Sequence, residues 1–427
     1  MTPTPERRRN PWWIPPHLFG RVPAEVPAAA VKVLGIVSFA LFFEHYDVSL
    51  LTNALKYIKD DLGIAESDLG YFQMMIRLGA LPAIFLVPFA DRFGRRRLFL
   101  ISLVGMSVGT LLTGLAQTAS QFVAFQMLTR MFVLTASAVA IVIVAEEMPA
   151  SARGWGVGML AAVSAFGHGA GAALFAAVEI LPYGWRSLYA FGVIPLLLLP
   201  MFARNIRETD RFSALSHAED SWLRAWFLPL KEFFSVHPMR ALGMTLLAGG
   251  SSVGHVVVIA FAGYFVLEYH NWEPYHLSIM VLTAGVIGVL GNVMAGRLAD
   301  RIGRKAVGLG FLVAYPALAW GFYNGPGWLL PAFWSMMVFT LMGANVIIRA
   351  LASELFPTTH RGTSTGVLTM METLGAALGM AWFSQIQHAD GDLQTTLPLI
   401  ALTTVLAGIV LLFFRETRQQ ELEKTSA

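Results

Sequence analysis

Six ionisable side chains stand inside long apolar stretches of this chain: Glu44, Asp47, Arg77, Arg130, Arg349 and Glu372. At bilayer depth such groups cost roughly 2.5–3.5 kcal/mol each even on lenient insertion scales, which makes each a functional candidate. Three are acidic and three basic, so the first expectation is mutual pairing. Glu44 and Asp47 are three residues apart on one expected helix and share a face. A carboxylate beside a guanidinium in a cavity can take up and release a proton as solvent access changes. Glu44 and Asp47 are therefore candidate proton-coupling residues together with an arginine that stands beside them, and the plainer alternative is a static pair that fixes one helix against another.

A second set has the types expected of a binding site: Arg77, His168, His255, Asn345, Arg349 and Glu372. Arg77 either snorkels outwards or attracts an anion. Glu372 lies too deep to snorkel and needs a partner, for which Arg349 is the first choice. Histidine titrates nearest physiological pH. His168 and His255 are thus either relays or ligands, or core histidines bonded to a carbonyl. Asn292 and Asn345 serve as cavity hydrogen bonders or as links between helices. Gly167, Gly169, Gly171, Gly375 and Gly379 read as close-packing sites.

The elements that must position these residues are apolar runs of about 20 residues, enough to cross a hydrocarbon core. Six run roughly over 30–51, 69–90, 98–116, 122–145, 155–178 and 188–202. Six more run over 241–267, 277–299, 306–323, 327–352, 363–386 and 397–414. The expected organisation is a leader (1–29), a six-helix bundle (30–203), a central loop (204–240), a second bundle (241–414) and a tail (415–427). Composition agrees: of 427 residues 56% are apolar and only 13% charged, with mean hydropathy +0.61. A soluble domain carries about 25% charged residues, so an ordinary soluble enzyme, a disordered chain and a nucleic-acid binder are excluded. There is no Cys, which removes disulfides, thiolate metal sites and Cys nucleophiles.

The leader holds Arg7, Arg8 and Arg9 but no apolar core or cleavage site, so it is not a secretory signal. Of the 30 Lys and Arg, only Lys56, Lys59 and Arg186 fall on one face and Arg77, Arg130 and Arg349 within spans. All the others gather on the opposite face, which predicts that both termini are cytoplasmic in a plasma (inner) membrane. Trp12, Trp13, Trp222, Trp226, Phe233 and Phe234 are expected along the membrane surface.

The two halves repeat. Asp91-Arg92-Phe93-Gly94-Arg95-Arg96 recurs as Asp300-Arg301-Ile302-Gly303-Arg304-Lys305, an offset of 209 residues. Glu146, Pro149, Arg153 and Gly154 recur as Glu354, Pro357, Arg361 and Gly362, and Arg207-Glu208-Thr209 as Arg415-Glu416-Thr417, both at 208. His255 is offset by the same 208 from Asp47. Parallel repeats of six helices mark transporters with a site between the halves.

These landmarks also carry a resemblance. The pattern Gly296-x-x-x-Asp300-Arg301-x-Gly303-Arg304-Lys305 is similar to the signature of the major facilitator superfamily, and the whole length resembles it; the first copy departs, with Val87 where Gly is expected. The Glu…Pro…Arg-Gly motifs and the Arg-Glu-Thr triplets resemble the sugar-porter and organic-ion branches. Phe43-Glu44-His45-Tyr46-Asp47 resembles the Asp-Gly-Tyr-Asp of aromatic-acid:proton symporters. The resemblance implies an all-α membrane protein with twelve transmembrane helices in two pseudo-symmetric bundles. It aligns Asp47 with a titrating Asp and Arg130 with a helix-4 Arg. It also implies a gate of Asp91, Arg92, Gly94, Arg95, Glu146, Arg153, Gly296, Asp300, Arg301, Gly303, Arg304, Glu354 and Arg361. There Asp91 would approach the other half near Gly362 and Asp300 near Gly154, the first latch weakened by Val87.

The expected function is proton-coupled alternating access for a small organic solute, a carboxylate by preference because a guanidinium matches it bidentately. Sugar is disfavoured: Ala161 stands where sugar porters carry a Gln, and Gly249-Gly250-Ser251-Ser252 replaces their paired Gln. If the arginines are all consumed by Glu44, Asp47 and Glu372, proton-antiport export of apolar or cationic compounds becomes the better reading. A non-transporting sensor on the same fold is a third reading. An enzyme is not expected, since no metal motif, nucleophile elbow or phosphate loop accompanies the acids. The expected partners are the substrate, protons and lipid, with no nucleic acid, cofactor or metal, and the chain is expected to be a monomer.

Overall fold

The computed structural model describes residues 10–14, 21–87, 89–208, 231, 234–235, 238–356, 361–389 and 391–416. Twelve of its helices are long and apolar enough to cross a membrane. The first six are α1 (Ala28–Asn53), α2 (Glu66–Leu86), α3 (Arg95–Gly114), α4 (Ala119–Glu147), α5 (Arg153–Phe175) and α6 (Trp185–Asn205). The second six are α7 (Pro238–Glu268), α8 (Pro274–Ile302), α9 (Arg304–Asn324), α10 (Gly327–Ala352), α11 (Ser364–His388) and α12 (Leu393–Leu412). Every expected span has its helix, with ends displaced by a few residues, because a continuous apolar run in lipid can satisfy its backbone only as a helix.

The helices form two bundles that pack alike. In one, α1 lies on α5 and α3 on α4; in the other, α7 lies on α11 and α9 on α10. The contact glycines follow the repeat. Gly167 of α5 meets the backbone of Phe42 on α1, and 208 residues later Gly375 of α11 meets the backbone of Gly249 on α7. A side chain at either position would force the helix pair apart.

Among the described residues the bundles share a core at one end. Tyr46, Leu50 and Ile58 of the first half share one buried cluster with Val257, Phe261 and Phe265 of the second. Toward the end bearing the Asp-Arg-x-Gly motifs, called here the motif face, the cores are separate. Leu34, Val133, Val144 and Phe202 belong to one, and Ala241, Leu312, Ile347 and Leu411 to the other. A Cβ added at Gly154, Gly158, Gly296 or Gly366 would meet no described atom within 4 Å. Among the described residues the bundles thus close on each other at the far face and leave a cleft toward the motif face.

The repeated motifs tie each bundle to itself. Glu208, just past α6, accepts from the backbone N–H of Arg95 (2.8 Å) and Arg96 (3.2 Å) at the start of α3. Glu416, just past α12, does the same for Arg304 (2.9 Å) and Lys305 (3.1 Å) at the start of α9. A carboxylate there satisfies orphan donors and the helix dipole together. Gly94 and Gly303 precede these helices with φ of +99° and +106°, and a Cβ on either would enter the capping carboxylate. Only glycine fits there.

Trp13 departs from expectation. Its ring packs on Gly35 of α1, and Ile14 is buried in the first bundle's core. Trp12, by contrast, is 92% exposed. The leader thus turns back onto α1 because Asn10 holds it, donating to the Ile14 carbonyl (2.9 Å) and accepting from the Val22 N–H (3.1 Å). Arg7 to Arg9, Trp222, Trp226 and Phe233 lie outside the described residues, whereas Phe234 is exposed.

Candidate functional site

The site begins with a defect in α2. Pro82 lacks an N–H and cannot continue the α-helical ladder. The chain passes from Leu78 to Ala83 through tight turns instead, with Ala80 N–H on the Arg77 carbonyl (2.9 Å) and Leu81 N–H on that of Leu78 (3.0 Å). Gly79 lets this stretch press on the backbone of Met127 in α4. Arg77, on the last regular turn before the break, is thereby brought within electrostatic reach of Arg130 on α4.

These two guanidinium groups face a like charge. No described carboxylate lies within ion-pair distance of either, and Arg130 Nε is buried without a hydrogen-bond partner. The expected contact of Asp47 with Arg130 is not made. Asp47 Oδ1 instead accepts from Thr110 on α3 (3.1 Å) and, at 3.5 Å, from Gln126 on α4, while Oδ2 has no partner. Arg130 acts on Asp47 and Glu44 through space. Glu44 accepts a short hydrogen bond from Ser137 of α4.

Gln126, Arg130 and Ser137 lie four and seven residues apart, one stripe of α4 facing the acidic stripe of α1. Thr110, Gln126 and Ser137 escaped the sequence reading because neutral polar residues are common in spans. The spacing around Arg130 was the available signal.

Arg349 and Glu372 do come together, at 3.4 Å between α10 and α11. Arg349 is 56% exposed, so the pair does not lie in a core. Asn345 sits one turn from Arg349 on the same helix and is half-buried. The remaining candidates are elsewhere. His255 is 2% exposed with its ring edge-on to Tyr315 of α9 at 4.2 Å and Nε2 unpartnered, apart from both arginine groups. His168 lends its backbone carbonyl to Ser49 of α1 (2.8 Å), and its ring lies near His45.

The expected cross-bundle latch at Gly154 is not formed in this structure. Asp300 is 68% exposed and touches only its own helix's neighbour, Arg304, at 3.5 Å. Arg95 pairs with Glu146 at 3.3 Å, and Arg304 with Glu354 at 2.7 Å, each inside its own bundle. Arg92 lies over the Phe93 ring, Arg301 is exposed, and Arg153 Nε is buried without a partner. The side chains of Asp91 and Arg361 lie outside the described part, so the first latch is not placed.

The closure is at the far face, which the sequence reading did not address. Lys56 Nζ donates to the Leu267 carbonyl (3.0 Å) beside Glu268. Glu66 accepts from Tyr264 and Tyr269 of the other bundle, both at 2.8 Å. Asp68 meets His388 at 3.0 Å, and the Tyr71 N–H donates to Ser384 (3.0 Å).

A profile of the Major Facilitator Superfamily matches residues 37–380 and 259–426. The chain belongs to the Major Facilitator Superfamily. It is therefore an integral membrane protein and a transporter of a small organic solute, not an enzyme. It is similar to the cis,cis-muconate transport protein of Acinetobacter baylyi, with 25% identity over 91% of this chain and 95% of that one. It is similar also to the gallate transporter of Pseudomonas putida, with 24% identity over 90% and 92%. The D-xylose-proton symporter structure shares its fold, with a TM-score of 0.75 and 19% identity over 91% of this chain and 99% of that one.

Proposed function

We propose that this superfamily member moves a small organic carboxylate together with protons by alternating access. The carrying observation is the pair Arg77 and Arg130, two cations within electrostatic reach of each other that make no ion pair with a described carboxylate. Arg349 is occupied by Glu372. Because Arg77 and Arg130 make no ion pair with a described carboxylate, an anion is favoured over the reading as an exporter of apolar or cationic compounds. Relatives named for transport of muconate and gallate, both carboxylates, support the same direction.

Charge balance supplies the coupling. With Glu44 and Asp47 ionised, the charges of Arg77 and Arg130 are offset and the empty site is neutral. An anion entering alone would add a charge to a dry site, which is costly. An anion entering with one proton per carboxylate charge keeps the site neutral, the proton residing on Asp47. Anion and proton therefore favour each other's binding, as linkage requires. Glu44, fixed by Ser137, is the second proton site. Asp47→Asn, which keeps acceptors and donors for Thr110 and Gln126, separates coupling from packing.

In this reading the motif face is cytoplasmic, as its Lys and Arg content favours, the membrane is the plasma (inner) membrane, and the carrier acts as a monomer. Arg92, Gly94, Arg95, Glu146, Arg153, Gly296, Asp300, Arg301, Gly303, Arg304, Glu354, Asp91 and Arg361 form its cytoplasmic gate. His168, His255 and Asn345 contribute more remotely than Arg77.

Competition in proteoliposomes tests the substrate class. Benzoate-like acids should displace one another and lipophilic cations should not; the reverse pattern would overturn the carboxylate reading.

A further inference from the structure

Gln73 stands on α2 between Gly70 and Arg77, three residues after one and four before the other, so the three share a face. That face is directed at the other bundle: Gly70 presses on the Met380 carbonyl and Ser384 of α11, with no room for a side chain. The opposite side of α2 meets α4, through Phe72 on Phe122 and Gly79 on Met127. Passing inwards from the closed far face, the order is Gly70 in the seal, Gln73 beneath it, then Arg77 at the cleft. Gln73 is only 4% exposed, yet its Nε2 has no hydrogen-bond partner. A buried amide donor left unpaired is costly, and native structures rarely keep one without a purpose.

Resting on the carboxylate reading above, we propose that Gln73 is a substrate-binding residue that recognises an acceptor oxygen at the end of the substrate remote from its carboxylate. Four residues of helix rise place Gln73 about 6 Å from Arg77 along α2. With the carboxylate on Arg77, the second oxygen lies toward the far face, at the end of the substrate away from that carboxylate. The substrate class is thus a planar, conjugated or aromatic acid with a hydroxyl, carbonyl or second carboxylate opposite the first. An oxygen adjacent to the carboxylate would not reach, and an unsubstituted acid would leave the amide unpaired. Leaving one buried donor unpaired weakens binding by about 5- to 100-fold.

The test is uptake of benzoate, 2-hydroxybenzoate and 4-hydroxybenzoate by wild type, Gln73→Leu and Gln73→Asn in proteoliposomes. Wild type should prefer the 4-hydroxy acid over the other two by about tenfold or more. Gln73→Leu should lose that preference while still transporting benzoate, and Gln73→Asn should restore part of it. An unchanged preference in Gln73→Leu, or wild type without preference, overturns the proposal and leaves the carboxylate reading standing. If Gln73→Leu is inactive toward every acid, Gln73→Asn decides: wild-type selectivity in it counts against the proposal and a reduced preference supports it. Failure of wild type to transport any of the three acids would overturn the carboxylate reading and this proposal with it.

Discussion

Lys56 of the first bundle lies 3.1 Å from Glu268 of the second, and Lys59 lies 3.5 Å from the same carboxylate. One acid on α7 thus holds two ammonium groups across the far face. All three side chains are largely but not fully buried, so the contribution belongs near the upper end of the surface range, about 1 kcal/mol. That size suits a switch, since a carrier must exchange states separated by a few kcal/mol.

Glu268→Gln should therefore move the equilibrium toward the state open at the far face by up to about fivefold. The chain has no cysteine, so spin labels can be placed at will, for example at the exposed Asp60 and Glu273. Pulsed distance measurements should show a longer component growing in the variant. An unchanged distribution would remove this contact from the gate.

Arg77→Gln should lower carboxylate uptake by at least tenfold without loss of folded protein, since Arg77 makes no ion pair with a described carboxylate. Arg77→Lys should recover only part, because an ammonium lacks the bidentate fork. Full activity in Arg77→Gln, measured as initial uptake rate, would assign anion binding elsewhere.

Asp47→Asn should abolish accumulation driven by a pH gradient while leaving substrate exchange between two equal pools. The site then carries a fixed neutral group in place of a titrating one. Persistence of gradient-driven accumulation would take the proton off Asp47.

Glu208→Ala and Glu416→Ala should each cost about 1 kcal/mol through loss of a helix cap. For bundles of this size that is a fall of about 2–4 °C in Tm. The two effects should match, because the caps are copies of one another 208 residues apart. A fall in only one of them would show that the repeat is not energetic.

The helices were legible because each depends on one continuous apolar run, and the bundles because the motifs repeat at one offset. Arg349 with Glu372 was legible as well, since a deep acid needs a partner and one cation stood on the adjoining helix. Asp47 was legible as a residue but not in its contacts. Its partners, Thr110 and Gln126, are neutral, and no charge rule singles them out. The pairings of the gate in this state were not legible either. Arg95 and Arg304 had acids available in both bundles, and the choice between Glu146 and Glu354 on the one side and the facing bundle on the other belongs to the conformational state. A sequence that must serve two states encodes both sets of contacts. The far-face closure was not legible because Lys56 and Glu66 lie far from Glu268 along the chain and only the fold brings them together.

The central claim is that one proton accompanies each carboxylate charge into a site kept neutral by Glu44, Asp47, Arg77 and Arg130. Recording internal pH and substrate together in proteoliposomes, with the membrane potential clamped at several values, tests it most directly. The account predicts one proton entering per monocarboxylate at a rate set by the pH gradient and indifferent to potential. Uptake that follows the potential, or that proceeds with no proton movement, would contradict it.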